Sequence, residues 1–297
     1  MQKIIPNLWF DDQAEEAVKF YISLFKNSQM RDISRYGEAG AEVSGRPIGS
    51  VMTIDFILDG QEFTALNGGP IFKFSPAISF FVNCETQKEF DNLWNALSNG
   101  GKILMEKGTY PFSEKFGWLN DKYGVSWQLN LGPREKKITP FLMFIGDQHG
   151  RAEEAIKLYT SLIKNSRIIN IIRYGEEEAE LEGTVNHAIF TLDGQEFMAI
   201  DSSIEHPFTF THGISFMVNC ETQEEVDELW SKLSENGEKE PCGWLKDKFG
   251  ISWQIIPTLL GELLKDPNPE KTKNVMEAML KMGKIEIKKL KKAYEQG

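Results

Sequence analysis

Gly117-Trp118-Leu119-Asn120-Asp121-Lys122-Tyr123-Gly124-Val125-Ser126-Trp127-Gln128 occurs a second time in the chain, as Gly243-Trp244-Leu245-Lys246-Asp247-Lys248-Phe249-Gly250-Ile251-Ser252-Trp253-Gln254. In both copies Asp-Lys-aromatic-Gly separates two aromatic ends, and the glycine can adopt the positive φ that closes a tight turn. Each copy is therefore predicted to be a β-hairpin that ends one domain. The Asp and Lys belong to the turn, which leaves Gln128 and Gln254 as the residues with a potential functional role.

Further repeats extend in both directions from this hairpin. The segments that recur are Ile-x-Pro at 4–6 and 138–140, Asp-Gly-Gln-Glu-Phe at 59–63 and 193–197, and Val-Asn-Cys-Glu-Thr-Gln at 82–87 and 218–223. They divide the chain into two homologous halves, 1–132 and 137–257, a short polar linker between them, and a tail at 258–297. Cys84 and Trp118 lie 34 positions apart, whereas Cys220 and Trp244 lie 24 apart. We therefore expect a different pocket rim in each half.

Each half is predicted to contain two βαβββ modules. In the first module an apolar run at 4–10 is typical of a strand, residues 14–25 have the periodicity of an amphipathic helix, and Asp59-Gly60 joins two further strands. The same order recurs from residue 77, with a helix that ends at Asn99-Gly100-Gly101. The second half repeats the pattern with helices near 151–163 and 221–235. The sequence thus predicts an α+β protein.

Composition excludes several classes of protein. The 297 residues are 41% hydrophobic and 26% charged, which is ordinary for a globular protein of two domains. The net charge of −11 disfavours a nucleic-acid partner. Cys84, Cys220 and Cys242 show no CxxC spacing, and no apolar run approaches the roughly 18 residues that span a bilayer. We expect a cytoplasmic protein that does not bind membranes.

The chain resembles the PhnB-like family, whose members often carry the name 3-demethylubiquinone-9 3-methyltransferase. The resemblance rests on the opening Ile-x-Pro-x-Leu-x-Phe, the Asp-Gly-Gln-x-Phe hairpin, the Val-Asn-Cys-Glu-Thr-Gln segment and the doubled Trp hairpin, and it covers nearly the whole chain. This family belongs to the vicinal oxygen chelate superfamily, with glyoxalase I, bleomycin-resistance proteins and extradiol dioxygenases. The resemblance implies tandem glyoxalase-like domains, four βαβββ modules that form two cupped sheets, and a C-terminal helix.

Metal chemistry and methyl transfer both lack support in the sequence. Methyltransferases commonly hold their cofactor at a Gly-rich turn, and no Gly-x-Gly-x-x-Gly occurs. The resemblance implies four metal-ligand positions in each half, and an ungapped placement puts them at Pro6, Ala65, Ala77 and Gln128, and at Pro140, Ala199, Gly213 and Gln254. Only the glutamines carry a donor atom there. We therefore expect no metal and no cofactor, although a shift of one residue would bring His212 into the set.

Aromatic residues are the remaining signal for a function. Apolar walls with a few fixed polar groups suit a small planar ligand, and the same residues equally suit a core. The predicted ligand-binding residues are Trp9, Trp118, Trp127, Gln128, Phe141, His187, Trp244, Trp253 and Gln254.

No His-x-x-x-His or His-x-Glu pattern occurs, so the histidines are predicted to be surface or hydrogen-bonded residues. Cys242 has no counterpart in the first half and is the better candidate for a reactive thiol, while Cys84 and Cys220 are expected to be buried.

Three hypotheses remain open. The first is a small-molecule-binding protein with two aromatic cups, either a monomer with an intramolecular pseudo-dimer or a homodimer. The second is a divalent-metal-dependent lyase, isomerase or dioxygenase-type enzyme with Gln254, His187 or His212 near the ion. The third is that only one half keeps a pocket. The tail has the pattern of a basic amphipathic helix, and because the body is acidic we expect it to dock on the chain's own surface or on a partner subunit.

Overall fold

The computed structural model describes residues 2–133, 138–176, 178 and 180–297, so most of the predicted linker lies outside the described residues. The strands are β1 (Ile4–Phe10), β2 (Gln29–Arg35), β3 (Val51–Leu58), β4 (Gln61–Asn67), β5 (Ile78–Cys84), β6 (Lys102–Tyr110), β7 (Ser113–Asn120), β8 (Ser126–Leu131), β9 (Ile138–Phe144), β10 (Arg167–Arg173), β11 (Val185–Leu192), β12 (Gln195–Asp201), β13 (Ile214–Cys220), β14 (Glu238–Lys239), β15 (Trp244–Lys246) and β16 (Ser252–Pro257). The helices are α1 (Ala14–Leu24), α2 (Glu38–Ser44), α3 (Gln87–Ser98), α4 (Ala152–Leu162), α5 (Gln223–Leu233), α6 (Thr258–Leu263), α7 (Pro269–Leu280) and α8 (Ile287–Glu295), with a short 3₁₀ turn at Gly146–Gln148. The predicted α+β class and four-module order are confirmed, and α2 is an addition that the sequence pattern did not indicate.

Two eight-stranded mixed sheets form the framework. Sheet A has the order β14-β15-β16-β13-β1-β4-β3-β2, and sheet B has the order β10-β11-β12-β9-β5-β8-β7-β6. Sheet A therefore joins the first module to the fourth, and sheet B joins the second to the third. The joints are antiparallel, with Asn7 opposite Ser215 in sheet A and Phe141 opposite Ser79 in sheet B. Each sheet thus takes one module from each half of the sequence, an intramolecular pseudo-dimer.

One face of each sheet packs under the helices. Strand side chains alternate between the two faces, and in β1 the residues Ile4, Leu8 and Phe10 enter the main core with Val18 and Tyr21 of α1. Burial of these apolar side chains is the main source of stability of both helix-covered layers. We call the opposite side of each sheet its open face. The residues that alternate with the core positions lie on it, and these residues decide what each sheet can bind.

The doubled hairpin ties helix and sheet together through its aspartate. Asp121 accepts hydrogen bonds from the backbone N–H groups of Tyr123 and Val125 (2.9 and 3.1 Å), from the Tyr21 hydroxyl (2.7 Å) and from the Trp127 indole (2.9 Å). Burial raises the pKa of this carboxyl, and the four donors act in the opposite direction. The predicted turn is confirmed, and its aspartate serves as a structural anchor.

The second copy repeats this anchor. Asp247 accepts from the backbone N–H groups of Phe249 and Ile251 (2.9 and 3.0 Å), from the Tyr159 hydroxyl (2.6 Å) and from the Trp253 indole (2.9 Å). Burial again raises the pKa of the carboxyl. Trp127 and Trp253 are 0% and 1% exposed, on the helix side of their sheets.

The outer edges of the two sheets differ, as the spacing of the repeats predicts. In sheet B, β6 and β7 form a long hairpin of nine- and eight-residue strands, whereas β14 and β15 in sheet A have two and three residues. The tail occupies this shorter edge of sheet A. The backbone N–H groups of Cys242 and Gly243 donate to the carbonyls of Met282 and Gly283 respectively, each at 2.8 Å.

The tail forms three helices, where the sequence pattern indicated one. Residues 258–297, here called the C-terminal strap, have their own apolar cluster, in which Val275, Ile285 and Leu290 are fully buried. Proline at the start of α7 and the Lys281-Met282-Gly283 segment separate the helices. Lys273 pairs with Glu38 of α2 at 2.6 Å, at the edge opposite β15. The strap therefore crosses the open face of sheet A from one edge to the other, and the expectation that it docks on the chain's own body is confirmed.

Candidate ligand-binding site

The open face of sheet B is an apolar surface built from both halves of the chain. Its buried members are Phe116, Trp118, Phe141, Met143, Ile145 and Met198, and the partly buried residues packed on them are Phe81, Leu104, Met105, Tyr110, Ile189, Ile200 and Phe208. The rings meet at van der Waals range: Phe81 lies 6.3 Å from both Phe116 and Phe141, between centroids. We call this set the sheet B cluster. It is separate from the core under the helices, and its six buried members are at most 9% exposed.

One amide lies beside these rings. Gln128 is 5% exposed, and its Nε2 donates to the Ser79 hydroxyl at 2.8 Å. With the amide nitrogen held there, Gln128 Oε1 remains as an acceptor on the open face. Trp118, directly opposite Gln128 in the ladder, donates its indole N–H to the Ser126 hydroxyl at 2.8 Å, which fixes the ring plane. The cluster thus combines aromatic walls with a single oriented polar group.

The rim of sheet B comes from two loops. Phe208, in the segment between β12 and β13, contacts Trp118 edge-on with centroids 6.5 Å apart and stacks with His206 at 4.7 Å. Tyr110 and Phe112 at the tip of the β6–β7 hairpin both contact Phe116, which precedes Trp118 by two residues in β7. A shallow depression of about 1190 Å³ beyond this tip is open to solvent and lies off the cluster, and we place no site in it.

The open face of sheet A carries a polar row where sheet B has apolar side chains. Asp55, Thr64, Asn7 and Ser215 lie opposite one another on four neighbouring strands, and Gln254 Nε2 donates to the Ser215 hydroxyl at 2.9 Å. The Thr64 hydroxyl donates to Asp55 at 2.8 Å. We call these five residues the sheet A row. Burial raises the pKa of Asp55, which is opposed by the bond from Thr64 and by the nearby Lys265 ammonium.

Aromatic rings close one end of this row. Trp9 is two residues from Asn7 on the same face, and its ring meets Trp244 and Phe72 with centroids 5.8 and 4.8 Å apart. Phe72 stacks on His212 at 4.4 Å, and His212 Nε2 lies 2.6 Å from the Glu240 carboxylate. The strap covers the remainder of the row, because Lys265 pairs with Asp32 of β2 at 2.7 Å and Ile256 of β16 belongs to the strap's apolar cluster.

The structure divides the predicted site residues into three groups. Trp118, Gln128, Phe141 and His187 lie on the open face of sheet B, and Trp9, Trp244 and Gln254 lie on that of sheet A. The third group, Trp127 and Trp253, lies in the helix-side core. Each open face therefore brings together residues from different halves of the sequence. The sequence predicted that aromatic residues line the site. It did not predict how these residues divide between the two sheets.

The ungapped placement of the metal-ligand positions was wrong in register. Ala65, Ala77 and Ala199 belong to the helix-side core. The residues that share the open face with the glutamines are Asn7, Thr64 and Ser215 beside Gln254, and Phe141, Met198 and Ser79 beside Gln128. At these positions the groups are neutral amides and hydroxyls or carry no donor atom, and Asp55 is the one carboxylate of the sheet A row. A single carboxylate does not fit a divalent ion, since such ions favour several carboxylates or imidazoles. Within the described ranges no group of three His, Cys, Asp or Glu could hold a metal.

Several residues of the sheet A row escaped sequence reasoning. The available signal was a polar residue between two apolar neighbours in a strand, as in Ile54-Asp55-Phe56 and Phe63-Thr64-Ala65. Such a residue must face away from the core that its neighbours enter. The alternation was visible in the sequence, but the partner strands were not.

The cysteines lie in places that disfavour reactivity. Cys84 and Cys220 are fully buried, and burial raises the pKa of Cys220 to about 12. Burial also raises the pKa of Cys242, which opposes thiolate formation and disfavours it as a reactive thiol. His149, which follows β9 and the 3₁₀ turn, lies 3.5 Å from the carboxylate of Glu180. No helix in the described part of the chain is long and apolar enough to span a bilayer.

Comparisons with known proteins agree with this architecture. The family model described as 3-demethylubiquinone-9 3-methyltransferase matches residues 2–130 and 136–256. The PhnB protein from Bacillus cereus is 50% identical over 44% of this chain and 100% of its own, with a TM-score of 0.41. Glyoxalase I from Zea mays is 12% identical over 84% of this chain and 89% of its own, with a TM-score of 0.52. That likeness concerns the fold alone. No curated protein matches the chain.

Proposed function

Because the chain belongs to the 3-demethylubiquinone-9 3-methyltransferase (PhnB-like) family and has the tandem glyoxalase-like fold, we propose that it is a small-molecule-binding protein. Its binding surface is the sheet B cluster. The observation that carries the proposal is the composition of this face, a second apolar cluster separate from the folding core and supplied with one amide. Concave, mostly apolar surfaces with few oriented polar groups are typical of small-molecule sites.

The side chains define the chemistry of the ligand. Phe81, Phe116 and Phe141 present ring faces that favour a planar, largely apolar molecule. Gln128 Oε1 favours a ligand that carries one hydroxyl or N–H donor. Phe208 contacts Trp118 and Tyr110 contacts Phe116, and from these positions the two rings would flank a bound ring system. We therefore propose a phenol-like or flavonoid-like aromatic as the ligand class.

Fluorescence titration and thermal shift of the full chain with 2-naphthol test this proposal. We expect saturable binding that raises the melting temperature, since a ligand that binds only the folded state stabilises it. In Trp118→Leu the affinity should fall about 10-fold or more, because the loss of one aromatic contact amounts to roughly 1.4 kcal/mol. Trp244→Leu, the equivalent change in sheet A, is the matched control and should change the affinity by less than about twofold.

A comparison of two related ligands tests the role of Gln128. 2-Methoxynaphthalene keeps the ring system of 2-naphthol and lacks its hydroxyl donor. It should bind about 5- to 10-fold more weakly to the unaltered chain, and Gln128→Leu should abolish this difference. Equal losses in Trp118→Leu and Trp244→Leu, or no saturable binding of 2-naphthol, would show that the sheet B cluster is only a packing surface.

A further inference from the structure

The sheet A row holds a buried acceptor that the protein does not satisfy. Asn7 is 4% exposed, and its Oδ1 has no hydrogen-bond donor among the described residues. Thr64, Ser215 and Gln254, its companions in the row, are 5%, 0% and 6% exposed. Buried polar atoms in folded proteins nearly always have a partner. The donor for Asn7 Oδ1 therefore comes from outside the chain, as an ordered water or as a bound molecule.

Charge around the row favours a cation. The carboxylates that face this region are Asp55 of β3, Asp32 of β2 and Glu62 of β4. Lys265 of the strap forms its ion pair with Asp32 at 2.7 Å, and Arg31 pairs with Glu62 at 2.9 Å. Asp55 accepts from the neutral Thr64 hydroxyl, and no ion pair to it occurs within the described ranges. One half-buried carboxylate of the row, which is two strands from Asn7 with Thr64 between them, thus lacks a cation in contact.

The end of the row adds an apolar wall. Trp9 follows Asn7 by two residues on the same face, and Trp244 lies directly opposite Gln254 in the ladder. Their rings meet edge to face with centroids 5.8 Å apart. Indole faces attract cations and accommodate the apolar part of an organic molecule. Carboxylate, unpaired amide oxygen and indole walls together form a site with a different preference from the sheet B cluster.

We propose that the sheet A row is a second binding site, one that takes a primary organic ammonium ion beneath the C-terminal strap. The N–H groups of the ammonium donate to Asn7 Oδ1 and to the Asp55 carboxylate, and the organic part packs on Trp9 and Trp244. Access is through the β2 edge, where the strap is held by the solvent-exposed pairs Lys265–Asp32 and Lys273–Glu38. Exposed pairs of this kind contribute little, so this end of the strap can open.

Titration calorimetry of the full chain with three probes tests the site. Benzylammonium carries charge and N–H donors, benzyltrimethylammonium carries charge alone, and benzyl alcohol is neutral. We expect benzylammonium to bind about 10-fold more tightly than either of the others, because charge-assisted hydrogen bonds to a half-buried carboxylate are stronger than neutral ones. Asp55→Asn, which preserves shape and removes the charge, should reduce its affinity about 10-fold or more. Asn7→Leu should do the same.

Two control variants distinguish this site from nonspecific attraction to acidic residues and from the sheet B cluster. Asp91→Asn removes a partly exposed carboxylate of α3 that pairs with Lys115 of β7 at 2.7 Å, away from the row and from the strap, and should leave benzylammonium binding unchanged. Trp118→Leu should also leave benzylammonium binding unchanged. A failure of the second-site proposal can therefore be distinguished from a failure of the 2-naphthol proposal. Equal affinity for the three probes, no measurable binding, or an unaltered affinity in Asp55→Asn would overturn the proposal. If Asn7→Leu does not fold, the affinity of the isosteric Asp55→Asn variant for benzylammonium is sufficient to test the proposed site.

Discussion

The two open faces share one backbone frame and differ in the side chains that they present. In sheet A the row across the strands is Asp55, Thr64, Asn7, Ser215 and Gln254, and at the equivalent positions sheet B has Ile189, Met198, Phe141, Ser79 and Gln128. The Ser–Gln pair is common to both, with Nε2–Oγ distances of 2.9 and 2.8 Å. The other three positions change from polar to apolar. This contrast explains why one fold supports two faces with different ligand preferences.

The helix side shows no such divergence. Phe56, Phe63 and Phe80 correspond to Phe190, Phe197 and Phe216, and both triplets are at most 1% exposed. Close-packed cores tolerate few changes of volume, whereas the open faces are constrained only by what they contact. Both helix sides have therefore stayed apolar, with changes of size such as Ile54 against Ala188 and Phe90 against Val226, whereas the open faces differ in polarity.

The two open faces are also covered by different parts of the chain. Sheet B extends its own β6–β7 hairpin, whose tip carries Tyr110 and Phe112 beside the cluster. Sheet A has only the short β14 and β15 there, and the strap docks on this edge through the backbone of Cys242 and Gly243. A covalently attached strap raises the local concentration of its contacts, so a few bonds suffice to keep it in place. The polar face is thus the one kept under cover.

The largest expected effect is on stability, through the hairpin aspartates that anchor the two sheets. Asp121→Ala and Asp247→Ala should each lower the free energy of unfolding by about 3 to 5 kcal/mol, because each change leaves four buried donors without an acceptor. Urea denaturation would measure both losses, with the exposed Asp12→Ala as the control near zero. Losses that differ by more than about 2 kcal/mol would mean that the two anchors are not equivalent.

Phe141 in the sheet B cluster and Asn7 in the sheet A row occupy equivalent positions. Exchanging the residue types at this position tests whether side-chain polarity decides the ligand preference of each face. Phe141→Asn should lower the free energy of unfolding by about 3 kcal/mol and abolish 2-naphthol binding, since it removes a buried ring and inserts an amide into the sheet B cluster. The reverse change, Asn7→Phe, should lower stability by about 1 to 3 kcal/mol through overpacking beneath the strap. Chemical denaturation and fluorescence titration of the two variants would measure these effects. Retained 2-naphthol binding in Phe141→Asn would contradict the assignment of the aromatic face.

The smallest expected effect is a pH dependence at the position that sheet A fills with Asp55 and sheet B fills with Ile189. Burial raises the pKa of Asp55, with Asp32 and Glu62 adding to the shift and Lys265 opposing it. The folded chain therefore holds this proton to higher pH than the unfolded chain, so stability falls as pH rises from the ordinary carboxyl pKa through the raised one. Asp55→Asn should melt at a higher temperature than the parent at neutral pH and at a similar temperature near pH 3. Ile189→Val, at the equivalent sheet B position, should lack this pH-dependent difference.

The sequence alone determined the repeat, the four modules, the doubled hairpin and the family. These features rest on local signals, such as the Asp-Gly turn at 59–60 and the alternation of strand residues, which short stretches of chain encode by themselves. The aromatic character of a site was also predictable, because Trp118 and Phe141 lie in recognisable strands.

Only the tertiary structure decided which modules share a sheet and which face each residue occupies. Asn7 meets Ser215, and Phe141 meets Ser79, across joints between modules that are not part of the same half of the sequence. A shift of one residue moves every strand side chain to the opposite face, which is why the placement at Ala65 failed and Thr64 was missed. The strap's path over the sheet A row depends on the same long-range contacts. Such contacts arise from the packing of complementary surfaces far apart in the chain, and no local pattern specifies them.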